Sequence, residues 1–267
     1  MTLQEKIPAL NPFAAKMEQQ KKRIHANLSK IKYRIGVMSG KGGVGKTTVS
    51  VNLAALLAEN VKVGLFDADI DCPNVTKFLG IEERFSVKEK TEEIEPVQKF
   101  GIKVLSMGSL QEADDTPIMW RGPLIANTLT NFLEKINWGD IDYLIFDLPP
   151  GTSDAALSLM QNVDLSGIVI VSVPSASSIA DARKAVNMCR KMDVKILGLV
   201  ENMSGEVFGE GSVEELAESL GENFLGRIAL DAEIRKITDE GKPAVLENKK
   251  ARKEFEGILS EIENQLQ

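Results

Sequence analysis

From residue 33 onward, short apolar runs alternate with stretches of helical length. The runs at 34–38, 61–66, 102–106, 143–146, 167–173, 196–200 and 224–228 read as strands. Several are continuously apolar rather than alternating, the pattern of strands buried on both faces of a parallel sheet. Between them, 47–58, 124–134, 177–192 and 213–220 carry helical patterning. Such alternation predicts an α/β fold, a doubly wound, mostly parallel sheet flanked by helices. A last helix is the clearest amphipathic one: Phe255, Ile258, Leu259, Ile262 and Leu266 share a face, and the remaining positions are mostly polar.

The first 32 residues differ. The stretch 16–32 is polar and basic, with Phe13, Met17, Ile24, Leu28 and Ile31 along one helical face. This predicts a helical extension, residues 1–32, docked by a thin apolar stripe on a domain spanning 33–267, its basic face solvated. The stretch 82–95 reads as a charged surface connection.

Composition narrows the function classes. With 43% hydrophobic and 27% charged residues, the chain is that of an ordinary globular protein. A net charge of -7 and 5% aromatics argue against nucleic acid as a partner. No run approaches the roughly 18 apolar residues that span a bilayer. The opening residues lack a charged-then-apolar targeting segment, and two cysteines cannot form a disulfide framework. The expectation is a cytoplasmic protein without a membrane partner.

Directly after the first strand comes Gly40-Lys41-Gly42-Gly43-Val44-Gly45-Lys46-Thr47-Thr48, a G-x-x-x-x-G-K-[ST] phosphate loop between a strand and a helix. Glycines let successive N–H groups turn inward toward phosphate oxygens, and the helix start adds its positive dipole end. Lys46 would meet the β and γ phosphates of ATP, and Thr47 would offer its hydroxyl to Mg²⁺. Lys41 is the unusual member. It has three readings: a solvated lysine, a contact to its own phosphates, or a reach to a neighbouring subunit's nucleotide.

The second strand ends in Phe66-Asp67-Ala68-Asp69-Ile70-Asp71-Cys72-Pro73-Asn74. Carboxylates at the C-terminal end of a parallel strand face the ligand crevice, where one can position water or hold hydrated Mg²⁺. The run 143–147 is an apolar strand ending in Asp147, the Walker B arrangement that delivers a carboxylate beside the metal, and Pro149-Pro150-Gly151 follows as a stiff bend. Glu201-Asn202-Met203-Ser204 follows the strand at 196–200 and reads, on its residues alone, as a polar turn.

The loop G-K-G-G-V-G-K-T-T resembles the deviant Walker A family that includes MinD, ParA and the nitrogenase iron protein. The run D-L-P-P-G-T-S-D, with Trp120-Arg121-Gly122-Pro123-Leu124, the helix 181–192 and the segment from Leu230-Asp231 to Lys242-Pro243, is similar to its Mrp branch across residues 33–267. The resemblance implies a P-loop NTPase domain and a slow ATPase. It further implies a homodimer closing through the nucleotide face, with Lys41 crossing to the partner's phosphates. It makes Asp69 the water-positioning residue, with Asp67 structural, Asp147 a Mg²⁺ partner, and Asn202 the reader of the adenine edge. Finally, it implies a role in assembling or transferring iron–sulfur clusters, with client iron–sulfur proteins as partners.

One departure stands out. The family's C-x-x-C pair belongs soon after E-N-M-S, and here Ser204 runs through Gly205-Glu206-Val207-Phe208-Gly209 without a cysteine. Cys72 and Cys189 are the only thiols, both expected to pack as small hydrophobes, and His25 is the only histidine. A second reading is therefore a nucleotide-dependent docking switch of MinD or ParA type without a cluster. The acidic tail, with Glu254, Glu256, Glu261 and Glu263, opposes a MinD-like hold on anionic membrane, and the net charge opposes a ParA-like hold on DNA. A metabolic kinase ranks last, since no acceptor site is named.

Overall fold

The computed structural model describes residues 12–70, 72–88, 90–110 and 122–267. Asp71, Trp120 and Arg121 and the side chains of Phe13, Met17, Pro123 and Leu124 lie outside the described residues. Among the described residues the first elements are α1 (Pro12–Leu28), β1 (Tyr33–Ser39), α2 (Lys46–Leu57), β2 (Val63–Asp67) and α3 (Val75–Phe78). Then come β3 (Ser86–Val87), β4 (Ile94–Glu95), β5 (Val97–Lys99), β6 (Ile102–Ser106), α4 (Gly122–Lys135) and β7 (Tyr143–Asp147). Next are α5 (Asp154–Asn162), β8 (Gly167–Ser172), α6 (Ala176–Lys191), β9 (Ile196–Ser204) and α7 (Ser212–Leu220). The last elements are β10 (Phe224–Ala229), α8 (Ala232–Asp239), α9 (Ala244–Glu247) and α10 (Lys249–Leu266).

The main sheet has eight strands in the order β10-β9-β8-β1-β7-β2-β6-β5. Every pairing in it is parallel except β5 with β6, the antiparallel edge. All seven expected strands are present and the sheet is doubly wound, as the pattern predicts. Strand residues alternate between two cores. Ile35, Val37, Leu65 and Ile145 pack beneath α2 and α10, whereas Met38, Phe66, Phe146 and Ile170 face α4 to α7. Side chains on a strand point alternately to opposite faces, so a sheet covered on both sides needs apolar residues at both phases.

Helix α2 runs through the middle of one layer and is buried at every position from Val49 to Leu57. The final helix behaves as its pattern predicts, with Phe255, Ile258 and Ile262 each 1% exposed or less. Burying side chains of this kind contributes about 1.5–3 kcal/mol apiece. Asn248 caps it, its Oδ1 accepting from Lys250 N and Ala251 N at 2.9 Å each.

Helix α1 docks through Ile24, Leu28 and the following Ile31, which join the core under α4 and α5. Polar clamps fix it there: Asn27 Nδ2 donates to Leu133 O at 3.1 Å and Ile136 O at 2.8 Å. Lys21, Lys22, Lys30 and Lys32 stay exposed.

Two local expectations are corrected. The stretch 82–95 is not merely a surface connection, because β3 and β4 pair in it and Ile94 is buried in the core, bridging to Ile136. Glu201-Asn202-Met203-Ser204 is not a turn but the last part of β9, although Met203 takes a left-handed φ of 56°.

Candidate functional site

The C-terminal ends of β1, β2, β7 and β9 converge on one edge of the sheet, where parallel strands of an open α/β fold place their ligands. The loop between β1 and α2 needs glycine at two points above all. At Gly40 a Cβ would lie 2.2 Å from the carbonyl carbon of Asp181, so α6 can approach only a residue without a side chain. Gly45 has φ 83°, and a Cβ there would meet Asn202 Nδ2 at 2.0 Å.

Lys46, at the start of α2, is 6% exposed. Its ammonium lies 2.9 Å from Asp147 Oδ1. The approach is not aligned as a hydrogen bond, and Nζ is a buried donor group without a hydrogen-bond partner. A buried ammonium has three N–H groups to satisfy, and leaving them unmet is costly. The loop thus holds a desolvated positive charge next to a glycine-rich turn and a helix N-terminus, a fit for phosphate oxygens.

Asp147 ends β7 and is fully buried. Thr47 Oγ1 donates to its Oδ2 at 2.7 Å, and Ser50 Oγ donates to its Oδ1 at 2.7 Å. Mg²⁺ is commonly held by one or two carboxylates, a hydroxyl and substrate phosphates, with water completing its shell. Thr47 and Asp147 supply that hydroxyl and carboxylate side by side, so these residues fit the metal. Among the described residues, no group of three or more His, Cys, Asp or Glu is placed to hold a metal by itself.

Asp67, one strand away, is likewise fully buried. It binds the segment after β2 and the end of β6: Oδ1 accepts from Asp69 N at 3.2 Å, and Oδ2 accepts from Val75 N at 3.2 Å and Ser106 Oγ at 2.8 Å. Burial first, and then the negative charge of Asp147, pushes Asp67 up to about 7, against the pull of Lys46, Ser106 and Val75 N–H. Asp69 is 7% exposed and accepts from Cys72 N at 3.1 Å.

Lys41 is half-buried, and its Nζ donates to Ser177 Oγ at 2.9 Å, folded along the start of α6 of its own chain. Asn202 Nδ2 donates to Val44 O at 2.8 Å, tying the end of β9 to the phosphate loop. The bend after Asp147 is tied to β1, with Gly151 N donating to Ser39 O at 2.8 Å. Gly40, Lys41, Gly42, Gly43, Val44, Gly45, Lys46, Thr47, Thr48, Asp69, Asp147 and Asn202 therefore share one edge of the molecule.

Sequence reasoning passed over Ser50 and Ser106. Ser50 stands three and four residues after Thr47 and Lys46, the spacing of one helix face, which was the available signal. Ser106 ends β6, as Asp67 and Asp147 end their strands.

The thiols diverge. Cys189 is buried, as expected of a packed cysteine, and burial pushes its thiol up to about 12. Cys72 is exposed, contrary to the packing expectation, because it lies in the loop beyond β2 rather than on a core face. The segment in place of a C-x-x-C pair is a closed hairpin: Gly205 N donates to Gly209 O at 3.0 Å and Gly209 N to Gly205 O at 2.7 Å. Val207 and Phe208 project from its tip, 74% and 41% exposed.

A family described as ParA, NUBPL iron-transfer P-loop NTPase, matches residues 30–266. An iron-sulfur cluster carrier protein of Methanocaldococcus jannaschii is 43% identical over 258 residues, covering 92% of this chain and 89% of that protein. A mitochondrial iron-sulfur protein required for NADH dehydrogenase in Arabidopsis thaliana is 42% identical, covering 81% of this chain and 72% of that protein. Among solved structures, a nucleotide-binding protein of Archaeoglobus fulgidus in complex with ADP superposes with a TM-score of 0.72 at 39% identity, covering 84% of this chain and 92% of that one. The cell division ATPase MinD of Pyrococcus furiosus gives a TM-score of 0.70 at 25% identity, covering 88% of this chain and 99% of that one. Among the described residues no helix is long and apolar enough to cross a membrane.

Proposed function

Because this chain belongs to the family of NUBPL-type iron-transfer P-loop NTPases, we propose that it is a homodimeric Mg-ATPase acting in iron–sulfur cluster assembly or transfer. The observation that carries the ATPase reading is the buried ammonium of Lys46, without a hydrogen-bond partner, set beside Asp147 and Thr47. Residues 33–267 form the ATPase domain, residues 1–32 an extension whose described helix, α1, docks on it, and the working compartment is the cytoplasm.

In this reading the loop from Gly40 to Thr48 wraps the phosphates of ATP, and Lys46 turns from Asp147 to the β and γ oxygens. Thr47 and Asp147 would hold Mg²⁺, which when bound would supply positive charge to offset that on those oxygens. Asp69 orients the attacking water. The water oxygen bonds to the γ-phosphorus as the bond to the β–γ bridging oxygen breaks, and ADP, phosphate and one proton leave. Asn202 meets the adenine edge. Lys41 leaves Ser177 and crosses to the partner's phosphates, so that ATP closes the dimer and hydrolysis reopens it.

The cluster is cargo, and the chain's own thiols limit how it is held. Cys189 is buried, so a dimer presents two Cys72 thiols, fewer than the four thiolates of an ordinary cluster site. The balance of ligands comes from a client or a small thiol, and carriage is transient. Absence of C-x-x-C also favours the second reading, a docking switch without cargo, but the carrier relatives weigh toward the first.

Phosphate release from Mg-ATP, with equilibrium nucleotide binding alongside, tests the site. Lys46→Ala should cut turnover by about 100-fold or more, the usual cost of removing a preorganised donor to a transferring group. Unchanged affinity and rate in that variant would overturn the assignment.

A further inference from the structure

Three donors from α2 converge on one buried carboxylate. Thr47 Oγ1 stands 2.7 Å from Asp147 Oδ2, while Ser50 Oγ at 2.7 Å and Lys46 Nζ at 2.9 Å stand beside Oδ1. Two of these groups have a second task in the function proposed above. Lys46 turns to phosphate and so gives up Asp147 when nucleotide arrives, whereas Thr47 would meet Mg²⁺ through an oxygen lone pair and keep donating its proton to Oδ2. Ser50 has no such task. It lies one helical turn deeper and is fully buried, as Asp147 is, beyond the reach of phosphate or solvent.

The Ser50 hydroxyl has one proton and two acceptors in range, Lys46 O at 3.2 Å and Asp147 Oδ1 at 2.7 Å. The shorter contact to a charged acceptor takes it. The backbone of Asp147 is already fixed by parallel pairing with Val37 on one side and Asp67 on the other. What remains free is the rotation of its side chain, which the Ser50 hydroxyl restrains.

We propose that Ser50 is a positioning residue for the metal, holding Oδ1 of Asp147 so that Oδ2 stays directed to the place beside Thr47 when Lys46 departs. This rests on the Mg²⁺ role given above to Thr47 and Asp147. Partners that orient a metal's ligands typically cost about 10–100-fold in metal affinity when removed.

The test is a Mg²⁺ titration of fluorescent ATP-analogue binding to the full chain, with a melting curve for each variant. Ser50→Ala should raise the half-saturating Mg²⁺ concentration about 10-fold, leaving analogue affinity in EDTA unchanged. Ser50→Thr, which restores the hydroxyl, should bring the Mg²⁺ response back toward wild type. Ser50→Cys keeps the size but donates weakly, so it should shift the response in the direction of Ser50→Ala and decides the matter should that variant fail to fold. A wild-type Mg²⁺ response in folded Ser50→Ala or Ser50→Cys, or a folded Ser50→Thr that does not restore it, would overturn the proposal. Wild-type binding with no Mg²⁺ dependence would instead remove the metal role of Thr47 and Asp147, and this proposal with it.

Discussion

The phosphate-loop end of β1 and β7 and the loop beyond β2 lie on the same edge of the sheet yet are built differently. At the first, Lys46 and Asp147 are buried and the carboxylate is surrounded by donors from a single helix. At the second, Cys72 is exposed on a loop whose hold on the core runs through the carboxylate of Asp67. The 205–209 hairpin at the end of β9 is also exposed and carries Val207 and Phe208 where the family's thiol pair belongs. The phosphate-loop end is therefore desolvated at Lys46 and Asp147, while the loop beyond β2 and the 205–209 hairpin are open. A nucleotide site needs low dielectric to make a lysine–phosphate contact count.

That contrast makes Lys41 the informative exception, a phosphate-loop residue whose half-buried side chain is bonded to Ser177. Lys41→Ala should leave most nucleotide binding intact and weaken ATP-dependent dimerisation about 10-fold or more, the loss of a charge-assisted contact. Sedimentation velocity with ATP and with ADP reads this directly. Normal closure by the variant would take Lys41 out of the interface.

A smaller effect is expected where the two regions meet, at Asp67. Because its folded pKa is raised, the native state keeps a proton that the unfolded chain releases near the ordinary carboxylate value. Between about 4 and about 7, then, the folded state binds more protons than the unfolded state, and stability falls as pH rises through that window. Melting temperatures of the nucleotide-free protein should decline from pH 5 to pH 8, with a flatter decline in Asp67→Asn. Identical slopes in the two proteins would deny the buried carboxylate this role.

How legible this was differs by feature. The parallel strands announce themselves because both faces of the sheet are covered, which forces continuous apolar runs at 143–146 and 167–173. The loop is legible because glycine is needed at Gly45 and a lysine at Lys46 for separate physical reasons. The end of β9 was not legible, since a polar run reads as a turn unless its partners are known. Glu201 is buried there because Gly211 N and Val213 N at 3.0 Å each, and Ser204 Oγ at 3.1 Å, satisfy its carboxylate from the chain that follows. Helix α5 was missed for a related reason. The stiff Pro149-Pro150 bend stands just before it, and its start is marked by Ser153 Oγ accepting from Ala156 N at 3.3 Å and by Asp154 in the first turn. Ser50 and Ser106 look like ordinary small polar residues until the sheet places Asp147 and Asp67 beside them.

The cargo is the central question, and anaerobic reconstitution with iron and sulfide, counted per dimer before and after mixing with an apo iron–sulfur acceptor, addresses it directly. The account predicts labile cluster uptake in the presence of a small thiol, lost in Cys72→Ser and unaffected by Cys189→Ala, with release to the acceptor that depends on ATP. Negligible iron and sulfide on the wild-type protein would contradict carriage and leave a nucleotide-controlled docking switch.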